Sequence, residues 1–198
     1  MSIPKIKLGV TGGIGSGKSY VCRLLEERGV PLFNCDREAG WLMAHHEVLR
    51  GQLKLLLGDA VYDDAGMLVK SVVRQYLCQG PEAASRINAL VHPLVRERLS
   101  AWADAHEESV LAVECALLFE SGFNQFVDYT VAVAAPLELR IQRVMERDGL
   151  SEEKVRGMMA LQLPEDEKQR RADRILRNDG TVSLHSQLDD LLAPFKVF

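Results

Sequence analysis

Gly12-Gly13-Ile14-Gly15-Ser16-Gly17-Lys18-Ser19 fits the pattern G-x-x-x-x-G-K-[ST]. Those residue types at that spacing make an anion cradle. Glycines let the backbone turn so that several N–H groups point inward at phosphate oxygens. Lys18 brings a positive charge within reach of the β- and γ-phosphates, and a hydroxyl at Ser19 is a ligand for Mg²⁺. The candidate ATP cradle is therefore Gly13, Gly15, Ser16, Gly17, Lys18 and Ser19, with the backbone N–H of Tyr20 added by the helix that should follow. Starting from Gly13 or from Gly15, the pattern G-x-G-x-x-G fails for want of its required glycine. That argues against a dinucleotide cofactor.

Phosphate cradles serve kinases, GTPase switches and motor ATPases, so other residues must choose among them. No N-K-x-D string for guanine occurs. Asp63-x-x-Gly66 matches a switch-type pattern, but it lies between helical patterns and reads as a β-turn. Three features favour a kinase acting on a small acceptor. Asp36 follows the second apolar run, and strand carboxyl ends face the ligand crevice in an open α/β sheet. A carboxylate there can take a hydroxyl proton, as a kinase base must; before Arg37-Glu38-Ala39 it also suits a helix N-cap. Arg140, Arg143 and Arg147, at i, i+3 and i+7, share one helix face, with Leu137, Ile141, Val144 and Met145 on the other. Such a face either clamps transferring phosphates or is a solvated surface paired with Glu138 and Glu146. Glu114, ending the run from Val110, suits a carboxylate that holds Mg²⁺ through water; Glu120 is its rival, and an ordinary loop carboxylate is the plainer reading. His92, before Pro93, reads as an acceptor contact or as a helix start, and His45-His46 as a solvated helix end.

These side chains need a scaffold. Ile6 to Val10 is an apolar run that enters the glycine-rich turn. Tyr20 to Glu27 has helical spacing through Val21, Leu24 and Leu25 and stops at Gly29, and Val30 to Phe33 is a second strand. From Asp36 to His106 the pattern is helical, in four apolar stripes: one at Leu49, Leu53, Leu56 and Leu57, one at Leu68, Val72, Val73 and Tyr76, one at Ile87, Leu90 and Val91, and one at Leu94, Val95, Leu99 and Trp102. Strands return at Val110 to Val113 and Tyr129 to Ala134, with a weaker one at Arg174 to Leu176. Helices are expected over 136–148, 151–162 and 182–192. The reading is α/β, a P-loop three-layer sandwich of about five parallel strands with helices inserted after the second.

Composition sets the outer limits. The chain has 198 residues, 47% hydrophobic and 26% charged, which excludes disorder and a disulfide scaffold. With 24 basic and 28 acidic side chains its net charge is -4, the wrong sign for a protein that coats nucleic acid. Cys22, Cys35, Cys78 and Cys115 have no C-x-x-C spacing and read as reduced thiols in or near the core. Met1 to Lys5 carries no apolar run of signal-peptide length, and no stretch approaches a membrane span. A cytoplasmic monomer with no nucleic-acid or membrane partner is expected.

The chain resembles the dephospho-CoA kinase family from Leu8 to about Gly180. The shared segments are LGVTGGIGSGKS, the CD ending at Asp36, INALVHPLV from Ile87, ALLFESG from Ala116, QRVMERDGLS from Gln142, Gln162, and ADRILRNDG from Ala172. The resemblance implies a P-loop core (1–35, 108–136 and 171–198), a helical acceptor-binding domain (36–107) and a small helical lid (137–170). It implies transfer of the ATP γ-phosphate to the ribose 3′-hydroxyl of dephospho-CoA, the last step of CoA synthesis, with Mg²⁺. Asp36 would be the base, Lys18 and Arg143 the charge stabilisers, Arg147 and Arg140 the lid clamp, Asn178 and Gly180 part of the adenine rim, and His92 an acceptor contact. Another small-acceptor P-loop kinase, or a nucleotide-dependent regulator, is the alternative. The chain departs from the family at Asn34, where the first acid of D-A-D is usual. It departs again at Glu114, often Asp, at Ala116, usually Pro, and at Tyr20, commonly Thr.

Overall fold

The computed structural model describes residues 5–195; Met1 to Pro4, where a leader was sought, and Lys196 to Phe198 lie outside the described residues. The chain divides into two compact units, one of residues 1–34 and 104–198, the other Cys35–Ala103.

The first unit is built on a five-stranded sheet: β1 (Ile6–Thr11), β2 (Leu32–Asn34), β3 (Val110–Glu114), β4 (Tyr129–Ala134) and β5 (Arg174–Arg177). All pairings are parallel and the order is β2-β3-β1-β4-β5. β3 is buried at every residue, and β1 and β4 are buried along most of their length. Strands covered on both faces read as unbroken apolar runs, which is why the sequence shows them clearly. β5 is an edge strand with only Leu176 buried, which is why its signal is weak.

Two helices cover one core. α1 (Lys18–Glu26) buries Val21, Cys22, Leu24 and Leu25, and α9 (Leu184–Leu192) buries Leu184, Leu188, Leu191 and Leu192 against Leu8, Val10, Val131 and Val133. Each large aliphatic side chain so buried contributes about 1.5–3 kcal/mol. α6 (Leu137–Asp148) and α7 (Glu152–Met159) pack around a smaller cluster of Ile141, Val144 and Val155. α8 (Glu165–Arg171) was not expected; its sequence EDEKQRR has no apolar stripe, and the one side chain it buries is Lys168.

The second unit holds α2 (Cys35–His45), α3 (Glu47–Leu57), α4 (Lys70–Leu77) and α5 (Pro81–Asp104). Four expectations change here. Asp36 is the second residue of α2, so the cap position precedes it and the N-cap reading falls. In the first turn its carboxylate still complements the helix dipole. α5 runs unbroken through His92-Pro93, so His92 does not start a helix. Pro93 removes the donor for the Ala89 carbonyl. The buried series Ile87, Val91, Val95, Leu99 and Ala103 continues across it at four-residue spacing and keeps one helix where the stripes suggested two. Cys78 is exposed, whereas Cys22, Cys35 and Cys115 are buried free thiols.

Other expectations hold. Asp63-x-x-Gly66 is a turn, with the Gly66 N–H donating to the Asp63 carbonyl at 2.8 Å. His46 caps α3, its Nδ1 accepting from the Leu49 N–H, beside exposed His45. No described helix is long and apolar enough to cross a membrane.

Candidate active site

β1 delivers the chain into the loop at the centre of the sheet, where the strand order changes direction, the place at which α/β sheets open a crevice. Gly15 and Gly17 have φ of +80° and +89°, left-handed values that side chains rarely adopt. A Cβ on Gly17 would stand 2.0 Å from Asn178 Nδ2, and one on Gly15 would stand 2.4 Å from the Arg140 carbonyl oxygen. The pattern's glycines are therefore demanded by both conformation and space.

The N–H groups of Gly15, Gly17, Lys18 and Ser19 make no hydrogen bond among the described residues. They form the open donor set at the start of α1, where the helix dipole also favours an anion. Three expected donors are already engaged. The Gly13 N–H donates to Glu165 Oε2 at 3.1 Å, the Ser16 N–H to the Gly13 carbonyl at 3.0 Å, and the Tyr20 N–H to the Gly17 carbonyl at 3.0 Å. The Ser16 hydroxyl is buried without a partner among the described residues. A cleft of about 340 Å³ opens over the loop, lined by Lys18, Ser19, Ala116, Arg147 and Gln162 among others.

Glu114 ends β3 and is buried. Lys18 Nζ forms an ion pair with its Oε1, and Ser19 Oγ donates to the same oxygen at 3.0 Å. Asn34, at the end of β2, donates Nδ2 to Oε2 at 2.5 Å. An amide at 34 supports the carboxylate of Glu114, where a second acid would repel it. Burial, with Glu114 nearby, pushes the Cys22 thiol far above its ordinary value, so it is an inert core group. Glu120 stands apart from the loop, paired at 2.9 Å with Lys168 Nζ and accepting from the Leu163 N–H at 3.0 Å.

The three arginines do not form one open face. Arg140 is buried, donates Nε to the Ile14 carbonyl at 2.9 Å and pairs with Glu165 at 3.0 Å. Its expected part in a phosphate clamp is thereby corrected: both ends of its guanidinium are held. Arg143 donates to the Asn178 carbonyl at 3.0 Å and reaches the Gly15 carbonyl at 3.5 Å. Arg147 lines the cleft and pairs with Asp148. Asn178 ties the chain after β5 to the loop, its Nδ2 donating to the Ser16 carbonyl at 2.8 Å. Gly180 has φ +84° and open space where a Cβ would be.

Sequence reasoning missed Glu165 and Lys168, which sit in a run of charges that resembles a solvated surface. It also missed why Asp173 belongs to its motif: Oδ2 accepts from the Thr130 N–H at 2.7 Å and from the Thr130 hydroxyl at 2.6 Å, fastening β5 to β4. The signal available for Asp173 was its place just before a strand.

A model of the family described as dephospho-CoA kinase matches residues 6–183. A dephospho-CoA kinase of Bacteroides fragilis is 40% identical over 190 residues, which cover 95% of this chain and 92% of that protein. The crystal structure of a Thermus thermophilus protein superposes with a TM-score of 0.84 at 36% identity, covering 96% of this chain and 98% of the other. A dephospho-CoA kinase from Campylobacter jejuni, 20% identical, shares the fold with a TM-score of 0.67 over 94% of this chain and 95% of its own. An open amide cradle with its lysine, hydroxyl and buried acid thus stands in a chain matched over nearly all its length, and the chain belongs to the dephospho-CoA kinase family.

Proposed function

We propose that this protein transfers the γ-phosphate of ATP to the ribose 3′-hydroxyl of dephospho-CoA, giving CoA and ADP. The observation that carries the reading is the open set of N–H donors at Gly15, Gly17, Lys18 and Ser19, beside an ammonium and a hydroxyl. Those donors suit the β- and γ-phosphate oxygens, and Arg143 and Arg147 add charge stabilisation as the transferring group loosens. The acceptor O–H proton passes to the Asp36 carboxylate while the 3′-oxygen bonds to phosphorus and the bond to ADP breaks. Asn178 and Gly180 border the adenine, and His92 contacts the acceptor. The helical unit binds the acceptor, and α6 to α8 serve as the lid that excludes water.

Ser19 Oγ and the Glu114 carboxylate, 3.0 Å apart, are hard oxygen donors of the kind Mg²⁺ takes alongside phosphates and water. Bound there, with Glu114 acting through water, the ion would neutralise charge on the β- and γ-oxygens. A cytoplasmic monomer completes the reading.

The test is CoA formation from dephospho-CoA and ATP by the purified chain, set against nucleoside and sugar acceptors. Dephospho-CoA should be preferred by orders of magnitude; a better nucleoside or sugar acceptor would assign the chain to the other class of kinase. Asp36→Asn should lower turnover by about 10²–10⁴-fold while ATP binding survives, and unchanged turnover would remove Asp36 as the base.

A further inference from the structure

The first half of the phosphate loop is gripped from outside the loop at the Gly13 N–H and at both polar backbone groups of Ile14. The Gly13 N–H donates to Glu165 Oε2 at 3.1 Å, and the Ile14 N–H donates to Gln162 Oε1 at 3.1 Å. The Ile14 carbonyl accepts from Arg140 Nε at 2.9 Å, and the Ile14 side chain packs on the Ile141, Val144 and Val155 cluster. Arg140 and Glu165 are joined at 3.0 Å, with side chains only 7% and 15% exposed. A Cβ on Gly13 would fall 2.3 Å from Arg140 Nη2 and 2.4 Å from Glu165 Oε2, so the bracket is closed against the loop without slack. Arg140 comes from α6, Gln162 from the segment joining α7 to α8 and Glu165 from the first position of α8, none of them from the phosphate motif itself.

We propose that Glu165, Gln162 and Arg140 are positioning residues for phosphoryl transfer. They fix the Gly13-Ile14 segment so that the amides from Gly15 onward stand ready for the phosphates, and so that movement of α6 to α8 is transmitted to the loop. The chemistry supports a bracket more than a second phosphate contact. Glu165 is an acid placed next to an anion site, and Arg140 cancels its charge. The amides it and Gln162 occupy are withheld from phosphate, which leaves a definite four-donor set. Preorganised donors stabilise charge because they need no rearrangement when it develops.

The inference rests on phosphates binding at this loop, and the experiment separates the two. Binding of inorganic tripolyphosphate, adenosine and ATP is measured by calorimetry on the full chain, with KM and kcat alongside. Wild-type protein that binds no tripolyphosphate would overturn the functional reading and this one with it. Given wild-type binding, Glu165→Ala should weaken tripolyphosphate and ATP by roughly tenfold, about the value of one hydrogen bond to a charged group, with adenosine within twofold. Glu165→Gln, which keeps an acceptor for Gly13, should recover most of the loss. Gln162→Ala, which leaves the Arg140 pair intact, should show the same selectivity and serves alone if Glu165→Ala does not fold. Equal losses for adenosine and tripolyphosphate would mean a merely structural role. Unchanged tripolyphosphate binding in Glu165→Ala, or in Gln162→Ala, would remove the bracket.

Discussion

Lys168 is the sharpest place to perturb this structure. Its side chain is 0% exposed, and its Nζ bonds the Glu120 carboxylate at 2.9 Å and the Ala116 carbonyl at 2.8 Å. Glu120 also accepts from the Leu163 N–H at 3.0 Å. One ammonium therefore fastens α8 and the segment before it to the turn after β3, where Ala116 lines the cleft. Lys168→Met keeps most of the volume and stem but removes the charge. It leaves Glu120, 19% exposed, as a nearly buried carboxylate whose charged partner is gone, and it strips a donor from Ala116. Breaking a buried pair by removing one partner costs ~3–5 kcal/mol. For a chain of this size each kcal/mol moves the melting temperature by ~2–4 °C, so a fall of ~6–20 °C is expected. The stranded charge carries the argument, so neutralising it should help. Glu120→Gln keeps an acceptor for Leu163, and the Lys168→Met/Glu120→Gln pair should be more stable than the sum of the single losses by ~1–3 kcal/mol. Chemical unfolding of the four proteins measures the cycle. Additive single losses, or a Lys168→Met protein within about 0.5 kcal/mol of the parent, the range of ordinary surface changes, would refute the buried-pair reasoning.

Other perturbations test other links. Gly17→Ala forces a Cβ to 2.0 Å from Asn178 Nδ2 at φ +89° and should cost the bond to the Ser16 carbonyl, about 1–3 kcal/mol of stability; wild-type melting and ATP affinity would contradict that geometry. Glu114→Gln leaves an acceptor for Ser19 but frees Lys18, so ATP should bind tighter without Mg²⁺ and gain less from its addition; calorimetry with and without the metal decides. His92 is held below the ordinary histidine value by burial first and by Arg96 second. The unfolded chain therefore takes up the proton first as pH falls below about 6.5, and stability present above that pH is lost below it. His92→Gln should flatten the difference between urea unfolding at pH 7 and pH 5, and an unchanged difference would discount the histidine.

Legibility in the sequence followed burial. β1, β3 and β4 are covered on both faces, and their apolar runs stand out; the phosphate motif is local and carries its own pattern. β5 and α8 were faint or silent because an edge strand and a helix that buries a lysine lack the periodic apolar signal. Pro93 misled in the opposite direction: proline usually ends a helix, but here the buried stripe from Ile87 to Ala103 outweighs the lost hydrogen bond. At the site, spacing put Arg140, Arg143 and Arg147 on one face and could say no more. Which arginine meets a carboxylate depends on Glu165 and Asp148, and the first of these arrives from a segment that pattern reading left blank.

That distinction decides where the positive charge of the site resides. Three acids near the loop each meet a base: Glu114 meets Lys18, Glu165 meets Arg140 and Asp148 meets Arg147. Those acids leave little net negative field at the loop, while Lys18 and Arg147 stay within reach of a phosphate that can replace their carboxylate partners. Arg143 differs, since among the described residues it meets carbonyl oxygens, of Gly15 and Asn178, and no carboxylate within ion-pair distance. Its charge is therefore not cancelled, and it lies against the same loop whose amides of Gly15, Gly17, Lys18 and Ser19 make no hydrogen bond among the described residues. A net charge of -4 over the chain is compatible with a phosphate site because Glu114, Glu165 and Asp148 are each paired with a base while that guanidinium and those amides meet no carboxylate.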